Sequence, residues 1–383
     1  MSTRELRPLL DDPDDDAPPG NGGYPVTLLV AELVRAGHDV RVWTLDPSVR
    51  RRHDVRGEGL AVTYLPQRTS GRGRDAYAAE RRWLADALAG ARVDVWNPHW
   101  SYEYALAAQA HRGRGGAADD PLVLTVHDWA PAVLRYQPDP YRVVRLGMYA
   151  RVHLRRPAMT TPSPYLAAKL RRTGLGRAHV VPNGVAADAI ADRPRTRGSG
   201  AALLGIAMGF SRRKNTTSLL RAHGRLRAAG VPSRLVLVGA DHEPGGVAQA
   251  WARARDLDED VTFAGVLPYD RVLDALASCD VFVHPAREES FGMVLAEAMA
   301  QGTPVVAGAR SGAVPWVLDD GRAGVLADVD DPGAIALAVQ GLLSDRRRWE
   351  QLSAAGLAHV RRRFAMPVVA EGYLAAYRRA AGS

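Results

Sequence analysis

The sequence predicts an α/β protein built from two doubly wound parallel sheets, and three observations predict it. Short apolar runs alternate with helical stretches, as in His38-Asp-Val-Arg-Val-Trp43, Val93-Asp-Val-Trp96, Leu122-Val-Leu-Thr-Val126 and His179-Val-Val-Pro182. That is the rhythm of strands covered on both faces and joined by crossover helices. The rhythm stops at Arg193-Pro-Arg-Thr-Arg-Gly-Ser-Gly200, a polar stretch with the make-up of a linker, and restarts beyond it. At 383 residues the chain is also long enough for two cores. The expected division is residues 1–190 and 200–365, with the last helix, about 366–383, joined to the first domain. Two such sheets facing one another leave a cleft beyond their strand ends, where open parallel sheets bind ligands.

Taken in order, the N-terminal half begins with Met1-Ser-Thr-Arg-Glu-Leu-Arg7, which lacks the apolar core of a signal peptide. No run approaches the roughly 18 apolar residues of a membrane span, so a cytoplasmic protein without stable membrane insertion is expected. The first strand is poor, because Leu6-Arg-Pro-Leu-Leu10 is brief and runs into Asp11-Asp-Pro-Asp-Asp-Asp16. That acidic loop, with Asp14 and Asp16, either attracts a cationic small molecule or is a solvated turn. Asn97-Pro-His-Trp-Ser-Tyr-Glu-Tyr104 sets His99 and Trp100 beyond the Val93 strand, either to stack on a ring or to pack loop against helix. Thr125-Val-His-Asp-Trp129 places His127 and Asp128 at a further strand end. A lone histidine is usually structural; the strand-end position argues for a ligand role.

In the second half the runs Leu203-Leu-Gly-Ile-Ala207, Leu235-Val-Leu-Val238, Val261-Thr-Phe263, Val281-Phe-Val283, Val305-Val306 and Gly324-Val-Leu326 read as strands. Arg212-Arg213-Lys214 follows the first of them. Pro285-Ala-Arg-Glu-Glu-Ser-Phe-Gly-Met-Val-Leu-Ala-Glu297 reads as strand end, turn and helix start, with Glu289 in the loop and Glu297 about one and a half turns into the helix. A helix start favours a phosphate, and a carboxylate farther along accepts two hydrogen bonds from a ribose diol. The apolar neighbours of Glu297 make an unpartnered carboxylate there costly. The spacing therefore suits a nucleotide sugar.

Composition narrows the class. Hydrophobic content of 46% and charged content of 24% are those of a soluble globular protein. The net charge of +8 raises the question of a nucleic-acid partner, yet the only lysines are Lys169 and Lys214, and the arginine excess reads as GC-rich coding rather than a charged groove. No nucleic-acid partner is expected. The single Cys279 excludes an internal disulfide and a cysteine metal cluster, and reads as a small buried hydrophobe. No metal site is expected. No G-x-G-x-x-G or P-loop follows a predicted strand, which disfavours nicotinamide cofactors and P-loop chemistry.

Taken together, Gly22-Gly23, Arg35-Ala-Gly-His-Asp-Val40, Val180-Val-Pro-Asn-Gly184, the basic segment at 212–214 and the Glu289 to Glu297 motif resemble the retaining GT-B glycosyltransferases of group 1, the family-four enzymes of glycogen-synthase and sucrose-synthase type. The resemblance spans about Gly20 to the C-terminus and implies two Rossmann-like domains. It implies that Glu289 contacts donor-sugar hydroxyls and Glu297 the ribose. It further implies that Ser290, Phe291, Gly292, Met293 and Val294 hold sugar and diphosphate, chiefly through main-chain N–H groups, and that Gly22 and Gly23 let the backbone approach the diphosphate. Lys214 and one arginine, Arg212 in preference to Arg213, would neutralise the leaving diphosphate, because Phe210 stands after Gly209 where the family often has the arginine. His127 matches the family histidine that reaches the donor sugar.

The implied reaction moves a sugar from a nucleotide-diphosphate donor, UDP- or GDP-linked, to a small acceptor with retention, without an enzyme nucleophile and without a cofactor. Asp128, His99, Trp100, Asp14 and Asp16 are the acceptor-side candidates, and the arginine-rich composition suggests specialised metabolism in a bacterium. The competing readings are a sugar-nucleotide epimerase of the same fold, a non-catalytic nucleotide-sugar binder, and a transferase working on a lipid at a membrane surface. Met366 to Arg379 reads as an amphipathic helix with Val369, Tyr373, Leu374 and Tyr377 on one face, returning to the first domain.

Overall fold

The computed structural model describes residues 4–11, 23–112, 120–198, 202–206 and 209–382. The chain divides into two compact units, one of Met1–Gly184 with Met366–Ser383 and one of Val185–Ala365. The division falls ahead of the polar stretch at 193–200 where the sequence placed it. The reason is that this stretch is hydrogen-bonded to the second unit. The Val185 N–H donates to the Phe364 carbonyl, and the Arg195 guanidinium donates to the Cys279 carbonyl and to Thr303 Oγ1.

The N-terminal unit opens with the helix Tyr24–Arg35, whose first turn carries Pro25 and which buries Val26, Leu29, Val30 and Leu33. Gly37, at φ +85°, turns the chain into β1 (Val40–Asp46). Strands β2 (His53–Gly57) and β3 (Leu60–Pro66) form a hairpin, and β3 lies parallel to β1, giving the order β1-β3-β2. A second sheet holds β4 (Val123–Thr125), β5 (Ala158–Thr161) and β6 (Ala178–Val180), all parallel, with Trp96 and His99 bridging to its β4 edge.

The N-terminal sheet is thus interrupted. The Val40 N–H and the Asp46 carbonyl bond on the β3 side, so by alternation Arg41, Trp43 and Leu45 turn their backbone groups the other way. No backbone hydrogen bond among the described residues joins that edge to the segment at 93–99. Between them lies a cavity of about 630 Å³, walled by Val40 to Thr44, Arg92 to Trp100, the helix Tyr24–Arg35 and the last helix. Three side-chain links bound it: Tyr104 Oη accepts from the Leu45 N–H at 3.0 Å, Trp43 packs on Trp96 at 5.5 Å, and Tyr377 Oη donates to Asn97 Oδ1 at 2.7 Å. The poor first strand does not form. Arg4–Leu9 is a 3₁₀ turn with Pro8 inside it, and a proline cannot donate within a central ladder. Leu6 and Leu10 are buried with Val30 and Val62, and the Asp11 N–H donates to Arg56 on the far edge. The expected strand at Val93 to Trp96 is likewise reduced to isolated bridges.

The C-terminal unit is one parallel sheet of β7 (Ala202–Ile206), β8 (Arg234–Val238), β9 (Val261–Gly265), β10 (Val281–His284), β11 (Val305–Gly308) and β12 (Val325–Ala327), in the order β12-β11-β10-β7-β8-β9. The chain enters at β7, winds outward to β9, then returns to β10 on the other side of β7. The topological switch point, where doubly wound sheets bind ligands, is therefore the crevice beyond β7 and β10. Leu203, Leu219, Leu235, Val283 and Ile335 close the core beneath it, each contributing ~1.5–3 kcal/mol on burial. The helix Met366–Ala381 belongs to the N-terminal unit and buries Val369 and Tyr373. No helix of the described residues is long and apolar enough to cross a membrane.

Candidate active site

The loops after β7 and β10 are tied together at the switch point. Asn215, left-handed at φ +56° and buried, donates from Nδ2 to the Pro285 carbonyl at 3.1 Å and to the Val329 carbonyl at 2.8 Å. Asparagine tolerates that backbone region better than most residues. Arg287 returns the tie, its main-chain N–H donating to the Arg213 carbonyl at 2.8 Å and its guanidinium to the Arg212 carbonyl at 2.5 Å. These bonds fix where Lys214 and Glu289 meet.

Lys214 Nζ lies 2.7 Å from Glu289 Oε1, His284 Nε2 lies 3.2 Å from the same oxygen, and Arg213 approaches Oε2 at 3.9 Å. Burial alone would raise the Glu289 pKa, but the Lys214 charge, the His284 hydrogen bond and the Arg213 charge outweigh it and hold the carboxyl well below its usual range. Glu289 is therefore a fixed carboxylate. Arg213 also donates to the Glu288 carbonyl at 3.3 Å, whereas the Arg212 side chain is exposed. The structure thus brings Arg213, and not Arg212, to Glu289.

Glu297 is held differently. It is buried in the helix Met293–Ala300 and receives one hydrogen bond, from Tyr269 Oη at 3.3 Å. Burial, opposed only by that bond, pushes its pKa up to about 7. The two carboxyls of the motif are therefore shifted in opposite directions. Gly292 caps this helix at φ +88°, where a Cβ would come within 2.8 Å of Leu295 Cδ1, so both backbone and space demand glycine. Phe291 is buried against Trp316 and Phe364, so its side chain is part of the core and only its main chain remains for a ligand. Ser290, Met293 and Val294 are half-buried at the helix start.

In the N-terminal unit His99 Nδ1 and His127 Nε2 are 2.9 Å apart, with the rings stacked and the Trp100 ring 4.6 Å from that of His127. Burial pushes His127 down to about 4 and His99 well below its ordinary value, so the pair is neutral and one ring donates to the other. Trp100 holds φ +63°, a strain of ~1–3 kcal/mol for a bulky residue. Gly23 explains part of its placement, since a Cβ there would fall 2.6 Å from the Trp100 ring. Asp128 accepts from Tyr102 Oη at 3.0 Å, and Arg145 lies over the Tyr102 ring at 3.5 Å. Burial raises the Asp128 pKa and the Arg145 charge opposes it. Asp128 is thus committed to an internal network.

Gly22, Asp14 and Asp16 lie outside the described residues. His284, Tyr269 and Asn215 were missed by sequence reasoning. His284 ends the β10 run as a buried polar residue, a signal that was present; Tyr269 and Asn215 are joined to the motif only by the fold.

The model of the "Glycosyl transferases group 1" matches residues 197–358 and that of "Glycosyltransferase Family 4" residues 26–189. A phosphatidyl-myo-inositol mannosyltransferase of Mycobacterium leprae is 31% identical over 366 residues, covering 93% of this chain and 92% of that protein. The chain is a group 1 glycosyltransferase. A D-inositol 3-phosphate glycosyltransferase of Corynebacterium kroppenstedtii is 43% identical over 97 residues, covering 25% of the glycosyltransferase described here and 21% of that protein. A sucrose-phosphate synthase from Thermosynechococcus elongatus superposes with a TM-score of 0.77 at 21% identity, over 94% of this glycosyltransferase and 93% of that chain. The GT-B fold of the glycosyltransferase follows.

Proposed function

We propose that this glycosyltransferase moves a sugar, with retention of anomeric configuration, from a UDP- or GDP-linked donor to a small polyol acceptor of cyclitol type. The single observation that carries the reading is the Lys214–Glu289 contact of 2.7 Å at the switch point of the C-terminal sheet. It sets one cation and one fixed carboxylate side by side, as a diphosphate and a sugar hydroxyl face require. Lys214 and Arg213 meet the charge that develops on the leaving diphosphate, which is electrostatic catalysis. Glu289 accepts from sugar hydroxyls and orients the ring. Glu297 accepts from the ribose diol. No side chain is assigned as a covalent nucleophile, so the departing phosphate oxygen takes the acceptor proton. His127, with His99 and Trp100, is the candidate group for the sugar and the acceptor.

The cyclitol reading rests on the names of the relatives, phosphatidyl-myo-inositol mannosyltransferase and D-inositol 3-phosphate glycosyltransferase. The test is to incubate the protein with UDP- and GDP-linked glucose, mannose and N-acetylglucosamine and a panel of inositols and inositol phosphates. The reading expects nucleoside diphosphate release only with an acceptor, and an axial product linkage by NMR from these α-linked donors. Release of the free nucleotide with donor isomerisation, or an equatorial linkage, would overturn it.

A further inference from the structure

Between Pro140 and Ala187 the chain has nine lysines and arginines and no acidic residue, although it carries 42 acidic residues in 383 overall. The helix Pro140–His153 and the helix Pro164–Arg172 lie in this stretch. Arg151, Arg155, Arg156, Arg171, Arg172 and Arg177 are exposed, and none has a carboxylate within 4 Å among the described residues. Arg156, Arg171 and Arg177 converge on a pocket of about 350 Å³ floored by Pro157, Gly174 and Gly176. Arg156 is held there at φ +45°, in the left-handed region.

The outer face of the first helix is not polar. Val143 is 57% exposed and Leu154, one residue beyond the helix end, is 82% exposed. They are eleven residues apart, three turns, so they lie on one face, with Gly147 and Ala150 exposed between them. A surface helix ordinarily carries charge on this face. Here an apolar ridge is rimmed by arginines without carboxylate partners, the pattern of a helix that lies in a membrane interface.

We propose that this face of the N-terminal unit docks on an anionic lipid bilayer, with Leu154 and Val143 entering the headgroup boundary and the Arg156, Arg171, Arg177 pocket holding a lipid phosphate. An apolar ridge distinguishes this partner from nucleic acid, which rewards the arginines and leaves Leu154 in water. The arginines supply long-range attraction that salt weakens; the ridge supplies a part that salt does not. The inference does not depend on which sugar is transferred.

The experiment is sedimentation of the 383-residue chain with vesicles of phosphatidylcholine alone and of phosphatidylcholine with about 30 mol% phosphatidylglycerol, which adds an anionic surface. Binding is expected to the anionic vesicles only and to weaken between about 0.05 and 0.5 M salt, as the screening length contracts. Arg156→Ser, Arg171→Ser and Arg177→Ser combined should lower the partition coefficient roughly a hundred-fold, at about five-fold per arginine. Leu154→Ser, a change at an exposed position, should lower it at high salt and leave affinity for duplex DNA unchanged. Matching thermal melts of wild type and variants exclude misfolding. Equal binding to neutral vesicles, no binding to either, or vesicle binding that both variants leave intact would overturn the proposal. So would binding to duplex DNA as tight as to vesicles with no effect of Leu154→Ser.

Discussion

Lys214 Nζ and Glu289 Oε1, 75 residues apart in sequence, meet at 2.7 Å because Asn215 and Arg287 lace the two loops that carry them. The pair is nearly dry, with 14% and 11% of the two side chains exposed, and removing one partner of a buried pair strands the other charge. Lys214→Met should destabilise the C-terminal unit by ~3 kcal/mol, and Lys214→Met with Glu289→Gln should restore most of it. Both variants should lose roughly ten- to a hundred-fold or more in kcat/KM, since one charged hydrogen bond is worth ~1.5–3 kcal/mol. Urea melts with parallel kinetics would check this. Equal stability of the Lys214 variant and the wild type would show that the pair contributes nothing.

Glu297 gives a pH signature of the opposite sign. Its folded pKa, pushed up to about 7, lies above its ordinary value of 4.5. The folded state therefore holds a proton that the unfolded state loses, and stability is fully present below pH 4.5 and declines as pH rises through 7. Glu297→Gln should melt like wild type at pH 5 and higher at pH 8, by up to ~3 kcal/mol. The same carboxylate must ionise to accept from a diol, so donor affinity should rise from pH 6 to 8 in the wild type and stay flat in Glu297→Gln. Calorimetric titration at both pH values separates the two.

The histidines of the N-terminal unit act at the acid end. His127 and His153 are pushed down to about 4 by burial, and His99 is lowered well below its ordinary value. The unfolded chain binds protons at these rings from pH 6.5 downward while the folded chain does not, so stability should fall between pH 6.5 and 4. His127→Asn should blunt that fall. Tryptophan fluorescence through an acid titration, with Trp100 beside the pair, is the measurement.

Asn215 is the residue whose loss should disperse the site without touching it. Asn215→Ala removes two donors to the Pro285 and Val329 carbonyls and places alanine at φ +56°. A cost of ~2–4 kcal/mol is expected from the unpaired carbonyls and the backbone together. Donor KM should rise alongside. A variant with wild-type KM would show that the loops hold their register without it.

Because Lys214 and Arg213 meet the leaving-group charge in the proposed reaction, turnover should persist after dialysis against EDTA. A loss of more than about ten-fold, restored by magnesium or manganese, would assign that charge to a metal instead.

The C-terminal unit was legible because its central strands β10 and β11 are buried along their whole length and read as apolar runs, with the motif beginning where β10 ends. In the N-terminal unit β2, β3 and β5 went unread. The β2 sequence is His53-Asp-Val-Arg-Gly57, mostly exposed, and a solvated edge strand has no apolar run to betray it. Glu289 and Glu297 were readable as a pair from spacing, but not the opposite directions of their pKa shifts, which depend on burial and on Lys214, His284 and Tyr269 arriving from elsewhere in the fold. That Arg213 rather than Arg212 meets Glu289, and that the Trp100 ring lies against Gly23, are contacts made only by the fold.

The interruption beside β1 divides the fates of neighbouring amides. The N–H groups of Val40, Val42 and Thr44 turn toward β3, those of Arg41 and Trp43 toward the cavity, and that of Leu45 ends on the Tyr104 hydroxyl. In deuterium oxide, β1 should therefore exchange in alternation, slow and fast by single residues, with Leu45 slow against the pattern. Seven consecutive residues become a clock whose uneven ticks report whether anything has come to lie along that open edge.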